Sequence, residues 1–137
     1  MKIENNVLKH YLKNVYFITG TAYAGKSTTV KMLAERYDMV CCGENYHMAV
    51  SEIVATPETH PDLCYNRSLT DWREFVTRTP EEYERWMYAV GREAAEFEVA
   101  ELIAISRDKR VIVDTNIPLD ILKEISDYNH VAVMLSP

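Results

Sequence analysis

The sequence predicts an α/β fold built on a parallel sheet, in a single domain spanning residues 1–137. Two observations predict it. Four short apolar runs, at 15–19, 39–42, 111–114 and 131–135, alternate with segments of helical period. A glycine-bearing loop from Gly20 to Ser27 joins the first run to the first long helical segment. Strands that alternate with helices pair in parallel through right-handed crossovers.

Residues 3–13 carry Ile3, Val7, Leu8 and Leu12 on one side of a short amphipathic helix. Val15-Tyr16-Phe17-Ile18-Thr19 is β-branched and aromatic, as a strand covered on both faces requires. The helix from Lys26 to Tyr37 would turn Val30, Leu33 and Ala34 inward. Met39-Val40-Cys41-Cys42 reads as a second strand closed by Gly43, with the two thiols on alternate faces. Tyr46, Ala49, Val50 and Ile53 then fall at helical spacing, giving a helix to about Ala55. Residues 56–79, with Pro57, Pro61 and scattered polar residues, read as the least regular stretch, with no helix assigned to it.

Thr79-Pro80-Glu81-Glu82 supplies an N-cap, a proline at the first helical position and a glutamate three residues after the cap. It starts a helix to about Ser106, with Tyr83, Trp86, Met87, Val90, Ala94 and Phe97 on one face. Val111-Ile112-Val113-Asp114 is a third strand ending in an acid. Pro118 to about Tyr128 is a short helix, and Val131 to Leu135 is a fourth strand.

Composition narrows the function. With 47% hydrophobic residues the chain holds enough apolar material for one core. Fifteen basic against 21 acidic residues give a net charge of -6, which argues against a broad basic face for extended nucleic acid. No apolar run approaches the roughly 18 residues of a membrane span, and the polar start lacks the apolar segment of a signal peptide. Cys41, Cys42 and Cys64 are odd in number and lack CxxC spacing, so neither a disulfide framework nor a zinc site is indicated. The expectation is a cytoplasmic protein with no membrane partner.

One motif carries most of the functional reading. Gly20-Thr21-Ala22-Tyr23-Ala24-Gly25-Lys26-Ser27 is GxxxxGK[ST], followed by Thr28. Such a loop turns successive backbone N–H groups toward phosphate oxygens at the positive end of a helix. Gly20 and Gly25 permit the turns and the close approach, Lys26 offers a point charge to the β and γ phosphates, and Ser27 supplies a hydroxyl to Mg²⁺.

On these residues the chain resembles the P-loop NTPase superfamily, whose Walker A loop this is. No DxxG or NKxD segment points to a GTPase. The short chain looks more like the small-molecule P-loop kinases, the nucleoside, nucleotide and shikimate kinase-like group. The resemblance implies a three-layer fold with strand order 2-3-1-4, ATP and Mg²⁺ as cofactors, and cofactor contacts from residues 20–28. It implies Lys26, Glu44 and Asp114 as catalytic residues and Ser27 and Asp114 as metal partners. Asp114 resembles the Walker B acid at a strand end, the alternative being an ordinary cap of the following turn. Glu44 resembles the acid that orients or deprotonates the acceptor, the alternative being a first-turn glutamate complementing a helix dipole.

The acceptor side falls in residues 44–108. Arg67, Arg73 and Arg78 are the candidates there for a phosphate or carboxylate of the acceptor. Arg85 and Arg92 read as surface partners of Glu81, Glu82, Glu93 and Glu96. Tyr65, Trp72, Phe75, Tyr83 and Trp86 offer rings for stacking, with core packing as the competing reading. His47 and His60 have no ligand-like spacing and read as surface or pocket-wall residues.

The expected activity is transfer of the γ-phosphate of ATP to a hydroxyl or phosphate of a small-molecule acceptor. The alternative is a nucleotide-binding module or ATPase that acts as a switch. Val113-Asp114-Thr115-Asn116 also resembles the DxTN stretch of polynucleotide 5′-hydroxyl kinases, against which the net charge counts. The family continues past the fourth strand into an arginine-bearing lid and a fifth strand. This chain stops at Ser136-Pro137, where that lid would begin. A C-terminally truncated piece is expected, the alternatives being completion by a partner subunit or a segment such as 56–79 in the lid's place. The fourth strand would then lie near an exposed edge that favours association.

Overall fold

A computed structural model describes residues 1–21, 24–43, 46–68 and 71–136, without the side chains of 66–68 and 75. In chain order the elements are α1 (Asn5–Tyr11), β1 (Val15–Gly20), α2 (Lys26–Tyr37), β2 (Val40–Cys42), α3 (Met48–Val54), α4 (Pro61–Ser68), α5 (Arg73–Val76), α6 (Pro80–Ile105), β3 (Val111–Asp114), α7 (Leu119–Ile125) and β4 (Val131–Met134). A 3-10 turn, Tyr128–His130, leads into β4.

The four strands form one parallel sheet in the order β2-β3-β1-β4, as expected. Its register runs from Val15 opposite Val111 to Ile18 opposite Asp114, and from Phe17 opposite Val131 to Gly20 opposite Met134. The central strands show why their sequences lack alternation. Val15, Phe17, Val111 and Val113 face one layer, with Leu12, Ala95, Leu102, Ile117, Leu122 and Ile125. Ile18 and Ile112 face the other, with Val30 and Ala34 of α2. Both faces are covered by helices, the Rossmann-like arrangement of a parallel sheet. Full burial of a leucine such as Leu102 or Leu122 contributes about 1.5–3 kcal/mol, which fixes α6 and α7 on the sheet.

α6 sets the shape of the site. Thr79 caps it by accepting the Glu82 N–H at 3.2 Å, and Pro80 stands at its start. Its far end lies near the amino edge of the sheet, where Asn14 donates to the Ser106 carbonyl at 3.1 Å. Gly91 packs against the turn just after β3; a Cβ there would come within 3.0 Å of the Asn116 carbonyl oxygen. The turns before Gly91 therefore reach about 15 Å past the strand ends. That overhang explains a departure from the expected inner face. Ala94 and Phe97 are buried, but Tyr83 and Met87 are exposed because no sheet lies beneath them.

Two further expectations fail. α3 forms, yet Ala49, Val50 and Ile53 face solvent, while Ser51 and Ala55 turn inward. The stretch 56–79 contains α4 and α5. Pro61 begins α4, a position where its missing N–H costs nothing. Glu93 of α6 accepts the Asp62 and Leu63 N–H groups at 3.2 and 2.7 Å, tying the start of α4 to α6.

Candidate functional site

In a parallel sheet every strand delivers its following loop to the same edge, and ligands collect there. At this edge β1 runs into the glycine loop, β2 into Gly43, and β3 ends on Asp114, beside Ile18 of β1. Three side chains converge. Ser27 Oγ donates to Asp114 Oδ2 at 2.9 Å, and Lys26 Nζ stands 3.5 Å from Asp114 Oδ1. Asp114 is 2% exposed, and its Oδ1 has no hydrogen-bond partner among the described residues. A carboxylate so placed relies on Lys26 for its charge balance.

The loop shows two different uses of glycine. Gly20 has φ +139, and a Cβ would overlap the Met134 carbonyl of β4. Its close approach is to the neighbouring strand, and the adjacent Thr21 N–H donates to the same carbonyl at 3.0 Å. Thr21 Oγ1 accepts the Ser136 N–H at 2.7 Å, extending the tie. Gly25 has φ +86, with no described residue within 4 Å of where a Cβ would be, and it begins α2 with no side-chain cap. Among the described residues the first N–H groups of α2 thus have no side-chain cap, and Ala24, Lys26, Ser27 and Thr28 flank them, the last two exposed. Ala22, Tyr23 and Glu44 lie outside the described residues, so their expected contacts are not part of this geometry.

The acceptor-side arginines have different fates. Arg73 forms a chelate with Asp71, with Nη2 to Oδ2 at 3.1 Å, and is exposed. That hydrogen bonding also holds the Asp71 carboxyl below the usual carboxylate range. Arg78 lies over the Tyr65 ring at 4.3 Å and the Trp86 ring at 5.3 Å. The side chain of Arg67 lies outside the described residues. Arg92 bonds Asp120 at 2.9 Å and Tyr88 at 3.1 Å, rather than the glutamates of its own helix. Of the rings, Trp72 and Tyr83 are exposed, Tyr65 and Trp86 are half-buried, and the side chain of Phe75 is outside the described residues. Trp86 donates to the Asp62 carbonyl at 3.2 Å.

Both histidines expected at the surface or on a pocket wall are buried. His60 sits between Thr59 Oγ1 and Glu96 Oε2, each 2.9 Å from a ring nitrogen. His47 belongs to a cluster that the sequence reading missed. Glu98 of α6 is 2% exposed, and its Oε2 accepts the Thr115 hydroxyl at 2.7 Å. Its Oε1 lies 3.9 Å from His47 Nδ1, and its carbonyl accepts the Tyr46 hydroxyl at 3.4 Å. Burial lowers the pKa of His47, with Glu101 opposing, so the ring is neutral at neutral pH. Burial likewise pushes the Tyr46 hydroxyl far above its ordinary value, with Glu98 adding to the shift. One signal was available: Glu98 lies four residues after Ala94 and four before Leu102, on the face that packs inward.

Ser27 and Asp114 place hard oxygen donors side by side, and Asp114 Oδ1 has only the Lys26 charge near it, with no hydrogen bond among the described residues. That set fits Mg²⁺, which takes one or two protein oxygens and completes its shell with phosphate and water. Among the described residues no group of three or more His, Cys, Asp or Glu could hold a metal ion by itself. Among them also, no helix is long and apolar enough to cross a membrane. No family model, curated protein or solved structure matches this chain.

Proposed function

We propose that this chain binds ATP with Mg²⁺ at the Lys26–Ser27–Asp114 cluster and transfers the γ-phosphoryl group to a small-molecule acceptor. The observation that carries the reading is the convergence of Lys26 and Ser27 on buried Asp114 beside the uncapped start of α2. A lysine, a hydroxyl and a carboxylate at a helix N-terminus supply what a triphosphate and its metal require.

On binding, Lys26 would exchange Asp114 for phosphate oxygens, and the N–H groups of α2 would take the remaining phosphate charge. Ser27 and Asp114 would hold Mg²⁺, which withdraws electron density from the transferring phosphoryl group. The acceptor oxygen forms its bond to the γ-phosphorus as the bond to the β–γ bridging oxygen breaks. ADP leaves with that electron pair, and the acceptor's proton passes to a carboxylate, assigned to Glu44 by its place after β2. In this reading the acceptor would lie against the start of α6 and the helices α3 to α5, where Arg78 stands over the half-buried Tyr65 and Trp86.

The test is turnover of γ-labelled ATP with Mg²⁺ over a panel of nucleosides, nucleotides and hydroxy acids. Label should appear on one acceptor and fall by about a hundredfold or more in Lys26→Ala. Label released only as inorganic phosphate would replace the kinase reading with that of an ATPase switch. Label on the 5′-hydroxyl of an oligonucleotide would move the acceptor class to nucleic acid.

A further inference from the structure

The cluster of Thr115, Glu98 and His47 has no part in holding a triphosphate, yet it joins the two halves of the site. Thr115 follows Asp114 directly, and its N–H extends the β1–β3 ladder by donating to the Ile18 carbonyl at 3.0 Å. Its hydroxyl both donates to Glu98 Oε2 and accepts the Ile117 N–H at 3.0 Å, so it fixes the turn after β3 as well as the α6 carboxylate. Glu98 in turn meets the two residues that lead into α3: His47 Nδ1 at 3.9 Å, and Tyr46 through its carbonyl. His47 is 7% exposed, with Nδ1 unpartnered among the described residues and turned toward that carboxylate. The His47 carbonyl accepts the Ser51 N–H at 3.1 Å, so the residue whose ring faces Glu98 also caps the first turn of α3 through its backbone.

We propose that Glu98 is a positioning residue that couples the acceptor wall at α3 to the nucleotide and metal cluster, acting through Thr115 on one side and His47 on the other. The inference rests on the nucleotide reading above. Asp114 must change partners when phosphate and metal arrive, and Thr115 is its immediate neighbour. Any shift of that turn passes to Glu98 through a short buried hydrogen bond, and from Glu98 to the start of α3. The Thr115–Glu98 bond is buried, and in such low-dielectric surroundings a change in one partner is felt strongly by the other, as is a change in the Glu98 carboxylate by His47, 3.9 Å away.

The test combines titration of the full chain with ATP and Mg²⁺ with amide hydrogen exchange at Ser51 of α3 and at its C-cap Ala55, bonded to the His47 and Ser51 carbonyls. In the unaltered chain, saturating ATP and Mg²⁺ should slow exchange at these amides by about tenfold. In Glu98→Ala, ATP should still bind within about threefold of the original affinity, while the slowing at α3 disappears. Glu98→Gln keeps an acceptor for Thr115 and should restore the response; Thr115→Val, which cuts the same bond from its other side, should lose it and serves as the readout should the alanine variant fail to fold. A merely structural role would speed exchange across β1 and α2 as well and leave the ligand response in place. Binding without any α3 response in the unaltered chain, or a response undiminished in Glu98→Ala, overturns the proposal. Failure of the unaltered chain to bind ATP is a different result: it removes the nucleotide reading, and this inference with it.

Discussion

Lys26 Nζ lies 3.5 Å from Asp114 Oδ1, and the only other bond to that carboxylate among the described residues is from Ser27 to Oδ2. The lysine side chain is 11% exposed and the aspartate 3%. The two residues therefore support one another, which links stability to the proposed binding function. Lys26→Ala should lower unfolding free energy by about 1–3 kcal/mol, since it leaves a buried carboxylate with one donor. The double variant Lys26→Ala/Asp114→Ala should cost less than the sum of the singles by about 1 kcal/mol. Urea unfolding of the four proteins measures this, and strict additivity would show that the contact contributes nothing.

Gly20 and Gly25 separate structural from binding demands within one loop. Gly20→Ala forces a Cβ into the Met134 carbonyl and should cost more than about 3 kcal/mol, loosening β4 first. Gly25→Ala meets no atom and retains only the strain of a positive φ, about 1–2 kcal/mol, while placing a methyl group at the uncapped start of α2. Thermal unfolding should rank the two in that order. ATP affinity of the folded Gly25→Ala protein should fall by more than its stability loss explains.

The legibility of the site follows sequence distance. The glycine loop and its flanking strand and helix are local, so spacing alone located them, and Val111-Ile112-Val113-Asp114 announced a buried strand with an acid at its end. The contact between Thr115 and Glu98 spans 17 residues and that between Tyr46 and Glu98 spans 52, and no pattern in one chain reports such pairs. α3 misled because seven residues hold only two turns, too few for periodicity to choose a face; Ala49, Val50 and Ile53 matched a helix but face water. α4 was hidden by Pro61, a breaker by composition that in fact starts the helix.

His47 gives a pH dependence with a definite sign. Burial holds its folded-state pKa below the ordinary 6.5, so the unfolded chain binds the proton more readily. Stability should be full above the ordinary histidine value and decline as pH falls below it. Urea midpoints compared at pH 7.5 and pH 5.5 should differ more for the unaltered chain than for His47→Gln, which lacks the titrating ring. Equal differences would place the acid sensitivity elsewhere.

The cysteines should react unequally. Cys41 is exposed, whereas Cys42 and Cys64 are buried. Burial, Cys41 and Glu101 together push the Cys42 thiol up to about 11, which keeps it protonated near neutral pH. A disulfide reagent should therefore modify one thiol quickly in the native protein, and Cys41→Ser should abolish that fast phase. A second fast thiol that persists in Cys64→Ser would mean that β2 opens readily from the sheet edge.

The most direct measurement of the central claim is calorimetric titration of the chain with ATP, with and without Mg²⁺, beside Lys26→Ala and Asp114→Asn. The Lys26–Ser27–Asp114 reading predicts that Mg²⁺ strengthens ATP binding. It predicts that Asp114→Asn removes most of that gain while changing metal-free binding by less than about threefold, and that Lys26→Ala weakens both by about tenfold or more. Binding indifferent to Mg²⁺ and to both substitutions, or no binding at all, would contradict it.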